Sequence, residues 1–297
     1  MATSTKEIEL QAIDEAEGVG KPGTIASAAI HNAILAGGET TRTVADILHG
    51  TWVGHPLHPI LTDITIGAWT LGSAFDVVAA LTQSDAARDT ADQLTAIGTA
   101  SAIPTAITGI VDYSTFPDWS ANTATWHGLL NIVNFGLYAM SVRERRRGNR
   151  GRAVAYSATG MVLTGVSAWL GGHLVYKSRV GVDNSDQFEE PTAWKPVAEL
   201  AHLQHDKPRV VKVDDKDVLV YRHGEEVFAL GKKCAHAGGP LNEGHFKGSC
   251  VECPWHNSVF DMHEGKIVHG PSTHPQPYFE TRVRDGQVEI RLPEDAQ

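Results

Sequence analysis

The sequence is poor in cysteine and in positive charge, and each shortage excludes a class of protein. Three cysteines among 297 residues cannot build the disulfide scaffold of a small secreted protein. Asp and Glu number 35 and Lys and Arg number 25, so the formal net charge is −10 with neutral histidines. A nucleic-acid-binding protein carries a basic patch or stripe, so this balance argues against that function. The first residues lack a basic stretch followed by an apolar core, and we therefore expect no secretory or twin-arginine export signal.

Apolar residues and histidine are abundant instead. Hydrophobic residues make up 42% of the chain, which is enough to build packed cores rather than a disordered chain. A length of 297 residues allows about two domains. The 15 histidines stand out because imidazole is the commonest metal ligand among side chains. These numbers predict a folded protein of about two domains and direct attention to metal-binding patterns.

Long uncharged segments occupy the middle of the chain. Three of them contain no charged residue over about 18–24 residues, which is enough to cross a bilayer core of about 30 Å as a helix: Leu94–Val111, Ala124–Val142 and Ala153–Tyr176. A fourth, Ile64–Leu81, has Asp76 as its single charge. We predict four membrane helices that contact the lipid bilayer. A soluble bundle is the alternative, because the segments are rich in Ala, Gly, Ser and Thr, but small residues also let membrane helices pack closely.

Changes in composition divide the chain into four parts. The predicted parts are a polar tail with short amphipathic helices (1–48), a four-helix membrane domain (49–180), a charged linker (181–193) and a β domain (194–297). Within the first part, residues 1–23 are expected to be a tail. The last part shows short alternating runs separated by turn signals such as Asp285-Gly286. No internal repeat is evident. The predicted fold class is a multi-domain protein, an all-α four-helix transmembrane bundle followed by a small all-β domain.

The β domain contains two matched pairs of metal-binding residues. Cys234 and His236 form the first pair, and Cys253 and His256 form the second. Two thiolates and two imidazoles can hold a tetrahedral zinc ion. They can also hold a Rieske-type [2Fe–2S] cluster, in which two Cys bind one iron and two His bind the other. Each pair supplies one ligand of each kind, which favours the cluster over the usual zinc-finger pattern.

The sequence of residues 194–292 resembles a Rieske ferredoxin-type domain. The resemblance rests on CAHAGGPL at residues 234–241, CPWHNSVFD at residues 253–261 and GKIVHGP at residues 265–271. It implies that the two cysteines bind the inner iron and that the two histidines bind the outer iron. Cys250 lies outside the motif and is expected to be a buried free thiol.

Departures from the high-potential Rieske proteins of the bc₁ type concern the surroundings of the cluster. Those proteins have one extra Cys in each cluster loop, and here these positions are Gly239 and Trp255, so no disulfide can form. Ser258 is retained as a hydrogen-bond donor to the cluster sulfurs, but Phe260 replaces the usual Tyr. Fewer hydrogen bonds to the sulfurs predict a low reduction potential. Asn257 replaces a Gly, and Asn tolerates the positive φ that this turn is expected to need.

The residues after the second cluster motif are too few for an oxygenase. About forty residues follow His256, and they are occupied by predicted strands. A Rieske oxygenase needs a further catalytic domain with a mononuclear iron site. We therefore expect single-electron transfer rather than complete oxygenase chemistry, with an unidentified donor and acceptor.

The membrane part resembles the uncharacterised four-helix family called DUF2231. The similarity covers roughly residues 48–180 and rests on three motifs: GHPLHP at residues 54–59, WHGLLN at residues 126–131 and GGHLVY at residues 171–176. Because the biochemistry of that family is not established, this resemblance implies a fold more than a function.

Helix order places several histidines at one membrane face. Odd-numbered helices begin on the side where the fourth helix ends, so we expect a cofactor site there that involves His55, His58, His127 and His173. Paired imidazoles favour haem b; a quinone pocket and a purely structural role are the alternatives. Asp63 or Asn131 is expected to bind the second ring nitrogen of such a histidine.

Membrane orientation is left open by the sequence. The loop between the third and fourth predicted helices is rich in arginine: Arg143, Arg145, Arg146, Arg147, Arg150 and Arg152. The positive-inside rule places this loop in the cytoplasm and the β domain outside, whereas cluster insertion in the cytoplasm favours the reverse. The sequence predicts a membrane-anchored electron-transfer protein. A membrane-tethered redox sensor or assembly module and a zinc-stabilised binding module are the rival hypotheses.

Overall fold

The protein, described by a computed structural model over residues 17–293, folds as two compact units. The first unit contains residues 17–36 and 56–180, and the second contains residues 37–55 and 181–293. Within the described residues, six α-helices precede the strands: α1 (Glu17–Ala36), α2 (Gly38–His49), α3 (Leu57–Thr82), α4 (Asp85–Tyr113), α5 (Ala121–Arg146) and α6 (Arg150–Tyr176). The predicted arrangement of a helical domain followed by a β domain is confirmed.

The N-terminal segment differs from the sequence expectation in two respects. Helix α1 begins at Glu17, within the residues 1–23 that were expected to be a tail, and residues 1–16 lie outside the described residues. Helix α2 and the turn that follows it group with the β domain, although the sequence assigned residues 1–48 to a separate segment. The reason is a set of polar contacts from α2 to the β domain that no local pattern reveals.

The helices of the first unit are apolar on the outside and polar on the inside. Large apolar side chains are more than half exposed at Ile64, Leu71, Ile103, Ile132 and Val162. The buried positions carry hydroxyl and amide groups: Thr65, Thr95, Thr105, Thr108, Asn134, Ser141, Ser157, Thr164 and Ser167. Lipid is an apolar solvent, so a membrane bundle turns its apolar side chains outward and pairs its polar groups internally.

Three of the four long helices, α3, α4 and α6, are long and apolar enough to cross a membrane. Helix α5 is equally long, but its polar stripe of His127, Asn131 and Asn134 and its basic last turn lower its hydropathy. Its outward face is nevertheless apolar, since Ile132 and Val133 are 70% and 54% exposed. That all four long helices span a membrane therefore stays a prediction.

The first unit contains a repeated helical hairpin, although the sequence shows no evident repeat. Three residues of α3 have counterparts in α5 at one constant sequence separation, which pairs His58 with His127, Trp69 with Tyr138 and Asp76 with Arg145. A second constant separation relates α4 to α6 and pairs Gly98 with Gly160, Thr105 with Ser167 and Gly109 with Gly171. Few residues are identical between the hairpins, but equivalent positions make equivalent contacts.

The centre of the repeat is an aromatic pair. The rings of Trp69 and Tyr138 stack with centroids 3.8 Å apart and an interplanar angle of 3°. A glycine of the following helix makes room for each ring: a Cβ at Gly98 would lie 2.5 Å from the Trp69 ring, and one at Gly160 would lie 2.7 Å from the Tyr138 ring. The two hairpins therefore meet through equivalent residues.

A buried charge network joins the ends of the two hairpins. Arg145 donates to both carboxylate oxygens of Asp76, 3.1 Å from Oδ1, and to Asp92 at 2.5 Å. Arg150 contacts the same two carboxylates and lies 2.6 Å from Asp76 Oδ1. The side chains of Arg145 and Asp76 are only 3% and 5% exposed. Two cations and two anions make this network neutral, which reduces the cost of burying its charges.

The second unit consists of two antiparallel sheets and helix α2. Its strands are β1 (Lys195–Glu199), β2 (Arg209–Val213), β3 (Lys216–His223), β4 (Glu226–Gly231), β5 (His245–Lys247), β6 (Cys250–Glu252), β7 (Val259–Asp261), β8 (Ile267–His269), β9 (Tyr278–Arg284) and β10 (Gln287–Arg291). The larger sheet has the order β1-β10-β9-β4-β3-β2, and the smaller has the order β5-β6-β7-β8. Alternating apolar residues supply the core, in which Leu230, Val251, Phe260 and Ile290 are fully buried.

Candidate metal centre

Two loops of the second unit present the four predicted metal-binding residues. Cys234 and His236 lie in the loop after β4, and Cys253 and His256 lie in the loop between β6 and β7. Backbone hydrogen bonds close each loop into a tight turn. Gly238 N–H donates to Cys234 C=O at 2.8 Å, and the equivalent bond of the second loop joins residues 257 and 253 at 3.1 Å. The same local fold is therefore used twice.

The four side chains form two like pairs. The thiols of Cys234 and Cys253 are close enough that each shifts the pKa of the other, and both residues are almost completely buried. The rings of His236 and His256 lie edge to face with centroids 5.0 Å apart. Within residues 17–293, no group of three or more His, Cys, Asp or Glu side chains is arranged to hold a single metal ion. A pair of thiols and a pair of imidazoles match the ligand division of a Rieske [2Fe–2S] cluster.

The environment of the two thiols favours thiolate at Cys253. The neighbouring Cys234 thiol, together with the backbone N–H groups of residues 255 and 256, lowers the pKa of Cys253 to about 7. The neighbouring Cys253 thiol and burial raise the pKa of Cys234, although the backbone N–H groups of residues 236 and 237 act in the opposite direction. The N–H groups of both loops thus surround sulfur atoms on which negative charge would reside, as metal ligation by thiolate requires.

Cys250 differs from the two loop cysteines. It lies on β6, and burial together with the Asp261 carboxylate raises the pKa of its thiol. Cys250 is a free thiol outside the site, as expected, but the expectation that it is buried is wrong: it is only partly buried, because it lies at the first position of the short strand β6, beside the turn from β5. It provides a matched control.

Small residues and a tryptophan shape the loops. A Cβ at Gly239 would lie 2.9 Å from Cys253 Sγ and 3.1 Å from the Trp255 ring, so any larger side chain would crowd the thiol. Trp255 itself is 47% exposed. Asn257 has φ of 61°, so the expectation that it adopts the left-handed conformation is confirmed. The donor set, the paired sulfurs and the close approach at Gly239 fit a [2Fe–2S] cluster.

Ser258 and Phe260 follow the second loop and are completely buried. Ser258 Oγ accepts a hydrogen bond from Ser272 N–H at 3.1 Å, which orients the hydroxyl and leaves its proton to be donated elsewhere. Phe260 packs in the core beneath the loops with Cys253 and Leu230 and has no polar group to offer. The number of possible donors to the cluster sulfurs is therefore smaller than with Tyr at this position.

Two of the four predicted membrane histidines occupy equivalent positions in the repeat. His58 Nδ1 donates to Thr105 C=O at 2.9 Å, and His127 Nδ1 donates to Ser167 C=O at 2.9 Å. His127 Nε2 also accepts a hydrogen bond from the Asn131 amide at 3.1 Å. Asn131 is one of the two residues, with Asp63, that the sequence predicted as partners for a second ring nitrogen. The two imidazoles are near enough to interact electrostatically. A proton on Nδ1 leaves Nε2 as the acceptor or ligand atom.

The remaining candidates lie elsewhere. His173 approaches Trp169 with ring centroids 6.2 Å apart. His55 belongs to the second unit, where its ring lies 6.3 Å from that of His274, because the turn after α2 remains with the β domain. Asp63, the other predicted partner, is exposed. The hydrogen bond of His58 Nδ1 goes to the Thr105 carbonyl instead.

Sequence reasoning missed two features of this molecule. The first is the buried network around Arg145, a residue that the sequence analysis treats only as part of a positively charged loop. One sequence signal could have found it: Asp76 and Arg145 have the same separation in sequence as the other two equivalent pairs of α3 and α5. The second is the polar contact of α2 with the second cluster loop. Its residues Arg42 and Asp46 recur at helical spacing, but many solvated helix faces show the same pattern.

The second unit is a small antiparallel β domain, and two of its loops share one fold and present two thiols and two imidazoles. These features are typical of an iron–sulfur electron-transfer domain. Comparison with protein families agrees. Residues 193–280 match the family described as the Rieske [2Fe–2S] domain, and residues 54–184 match the family described as predicted membrane protein DUF2231.

Individual relatives match the second unit. The ferredoxin subunit of anthranilate 1,2-dioxygenase from Burkholderia cepacia is 33% identical over 99 residues, which are 33% of this chain and 92% of the relative. Ferredoxin CarAc from Metapseudomonas resinovorans is 34% identical over 28% of this chain and 77% of its own length. The solved ferredoxin of carbazole 1,9a-dioxygenase from Nocardioides aromaticivorans is 29% identical, covers 34% of this chain and 99% of its own, and has a TM-score of 0.32. The chain belongs to the Rieske [2Fe–2S] family and joins this electron-transfer domain to a DUF2231 domain.

Proposed function

We propose that this protein is a membrane-anchored one-electron carrier whose [2Fe–2S] cluster is held by Cys234, His236, Cys253 and His256. The observation that carries the proposal is the pairing of the two buried thiols and of the two imidazoles across two loops of identical turn geometry. A Rieske cluster supplies reversible one-electron transfer. The protein residues bind it, surround its sulfur ligands with backbone N–H groups and exclude water from the thiolate side.

The proposal is tested by electron paramagnetic resonance of the reduced full-length protein. Cys253→Ser is expected to abolish the rhombic Rieske signal because it removes one of four bonds to the cluster. Cys250→Ser is the matched control, since it makes the same substitution on a nearby residue outside the site, and it is expected to retain the signal. Retention of the signal in the Cys253 variant would refute the ligand assignment. A colourless wild-type protein that contains zinc would support the rival binding module.

The reduction potential of the cluster is proposed to be low, toward roughly −150 mV, the lower end of the Rieske range. Support comes from Phe260, which offers no hydroxyl, and from Gly239 and Trp255, which cannot form a disulfide. Phe260→Tyr is expected to raise the midpoint potential if the new hydroxyl reaches a cluster sulfur. A strongly positive wild-type midpoint in a redox titration would contradict this part of the proposal.

The proposed electron partner on the membrane side is haem b or a quinone bound near His58 and His127. Three observations support the choice of these two histidines. They occupy equivalent positions in the repeat, each donates through Nδ1 to a backbone carbonyl, and each rests against a glycine of the next helix, Gly109 or Gly171. Asn131 holds Nε2 of His127, so a ligand there has to displace that amide.

A pyridine haemochrome assay and a quinone-reductase assay on the full-length protein test this partner. Haem in the wild type and its loss in His127→Ala, with retention in His173→Ala, would support the paired site. Absence of haem together with no exchange of electrons with a quinone analogue would refute it and leave both histidines as structural contacts between helices.

The relatives suggest the other redox partner. They include the ferredoxin subunits of anthranilate 1,2-dioxygenase and of 3-phenylpropionate/cinnamic acid dioxygenase. By analogy, we propose that the Rieske domain exchanges electrons with a separate redox protein. The side of the membrane on which this exchange takes place is the cytoplasm if cluster insertion dictates orientation, and the opposite side if the positive-inside rule does. Protease accessibility of the second unit in sealed vesicles distinguishes these two outcomes.

A further inference from the structure

Helix α2 precedes the first long helix of the membrane domain, yet it belongs to the redox unit. It lies outside residues 193–280, the segment that matches the Rieske family. One face of the helix, formed by Glu39, Arg42, Asp46 and His49, carries its contacts with the β domain. Residues three and four apart lie on one helix face, so these side chains share a single surface.

The contacts of α2 reach two loops of the β domain. Arg42 Nη2 donates to the backbone carbonyl of Asn257 at 3.1 Å, and it lies 3.7 Å from the Glu252 carboxylate. Asp46 accepts from Gly270 N–H at 2.8 Å and contacts His269 Nδ1 at 2.8 Å. Asn257 follows the proposed ligand His256, and Glu252 precedes the proposed ligand Cys253, so Arg42 spans both ends of the second cluster loop.

Electrostatics give Arg42 a further effect on the cluster. Glu252 directly precedes the proposed ligand Cys253 in the chain, so its carboxylate belongs to the residue next to a cluster ligand. Its carboxylate also accepts from the Asn257 amide at 2.8 Å, which holds the charge beside the loop. Reduction of a cluster adds one negative charge, so an adjacent carboxylate disfavours it and an adjacent guanidinium favours it. The side chains of Arg42 and Glu252 are 22% and 25% exposed, and water therefore screens this pair less than an open surface pair.

We propose that Arg42 is a positioning residue of the redox centre, which fixes the second cluster loop through Asn257 and raises the reduction potential by neutralising Glu252. The inference rests on the proposed function, because it requires a cluster bound by Cys253 and His256. It makes the redox centre discontinuous in sequence, with one of its elements placed before the membrane domain.

The test is a redox titration of the full-length protein, monitored by the Rieske resonance, for two variants of Arg42. Arg42→Gln keeps an N–H donor for the Asn257 carbonyl but removes the charge, and it is expected to lower the midpoint potential. Arg42→Lys keeps the charge and is expected to stay closer to the wild-type potential. Arg284→Ala is the matched control, because it removes one positive charge from an exposed position on β9 of the same unit; its potential is expected to be unchanged.

The outcomes separate the inference from the proposed function. A wild-type protein with no Rieske resonance refutes the proposed function itself. A normal wild-type resonance with the same midpoint in Arg42→Gln as in the wild type refutes the inference alone. Equal shifts in the Gln and Lys variants would mean that only the bond geometry matters and would overturn the electrostatic part. A shift in Arg284→Ala as large as that in Arg42→Gln would overturn it as well, since the effect would then reflect net charge.

Discussion

The buried charge network of the helical unit gives the sharpest stability prediction. Arg145→Met leaves Asp76 buried with reduced compensation, and breaking a buried ion pair costs about 3–5 kcal/mol. Arg150 stays 2.6 Å from Asp76 Oδ1 in this variant, so we expect the lower end, about 3 kcal/mol. Asp76→Leu is expected to cost a similar amount, because Arg145 keeps its bond to Asp92 at 2.5 Å.

The double variant distinguishes charge balance from simple loss of contacts. Asp76→Leu with Arg145→Met removes one anion and one cation and leaves Asp92 paired with Arg150. We therefore expect its unfolding free energy to lie within about 1 kcal/mol of the wild type, because apolar replacement of a whole buried pair is often neutral. Additive losses in the double variant would refute the reasoning.

The assay is unfolding of the detergent-solubilised protein by titration with sodium dodecyl sulfate, followed by circular dichroism. Arg88→Ala is the control for removal of an arginine. Arg88 pairs with Asp85, which is 89% exposed, so the loss is expected to stay below about 1 kcal/mol.

Three further outcomes are expected. Gly239→Ala should weaken or abolish the Rieske resonance because its Cβ would lie 2.9 Å from Cys253 Sγ, and a normal resonance would show that the loop relaxes. The pKa of Asp217 is lowered to about 2 by hydrogen bonds from Lys212 and Lys232, so its stabilising effect is complete above about pH 4 and is lost as the pH falls toward 2. Asp217→Asn should therefore cost at most about 1 kcal/mol at pH 7 and nothing near pH 2, which pH-dependent denaturation of the two proteins measures. In cysteine labelling of the intact protein, Cys250 should react slowly, because partial burial and the Asp261 carboxylate raise the pKa of its thiol; rapid labelling would contradict this reasoning.

The sequence by itself determined the division into a helical and a β domain. Uncharged segments long enough to cross a bilayer and short alternating runs are patterns of neighbouring residues. They predict helices and strands because lipid and the protein core both require apolar side chains at these positions. It also singled out the four residues proposed to hold the cluster, since the spacing within each motif fixes one tight turn. The positive φ of Asn257 followed from the same local argument.

Only the tertiary structure revealed the partners of these elements. Asp76 and Arg145 lie on different helices with a third helix between them in the chain, and no window of sequence reports that they meet. The same holds for Arg42 and Asn257, which are separated in sequence by the whole membrane domain. Local sequence fixes backbone conformation through short-range sterics and hydrogen bonds, whereas burial of charge and the pairing of remote side chains depend on which surfaces come together. The helical hairpin repeat became visible for that reason, through equivalent contacts at positions where few residues are identical.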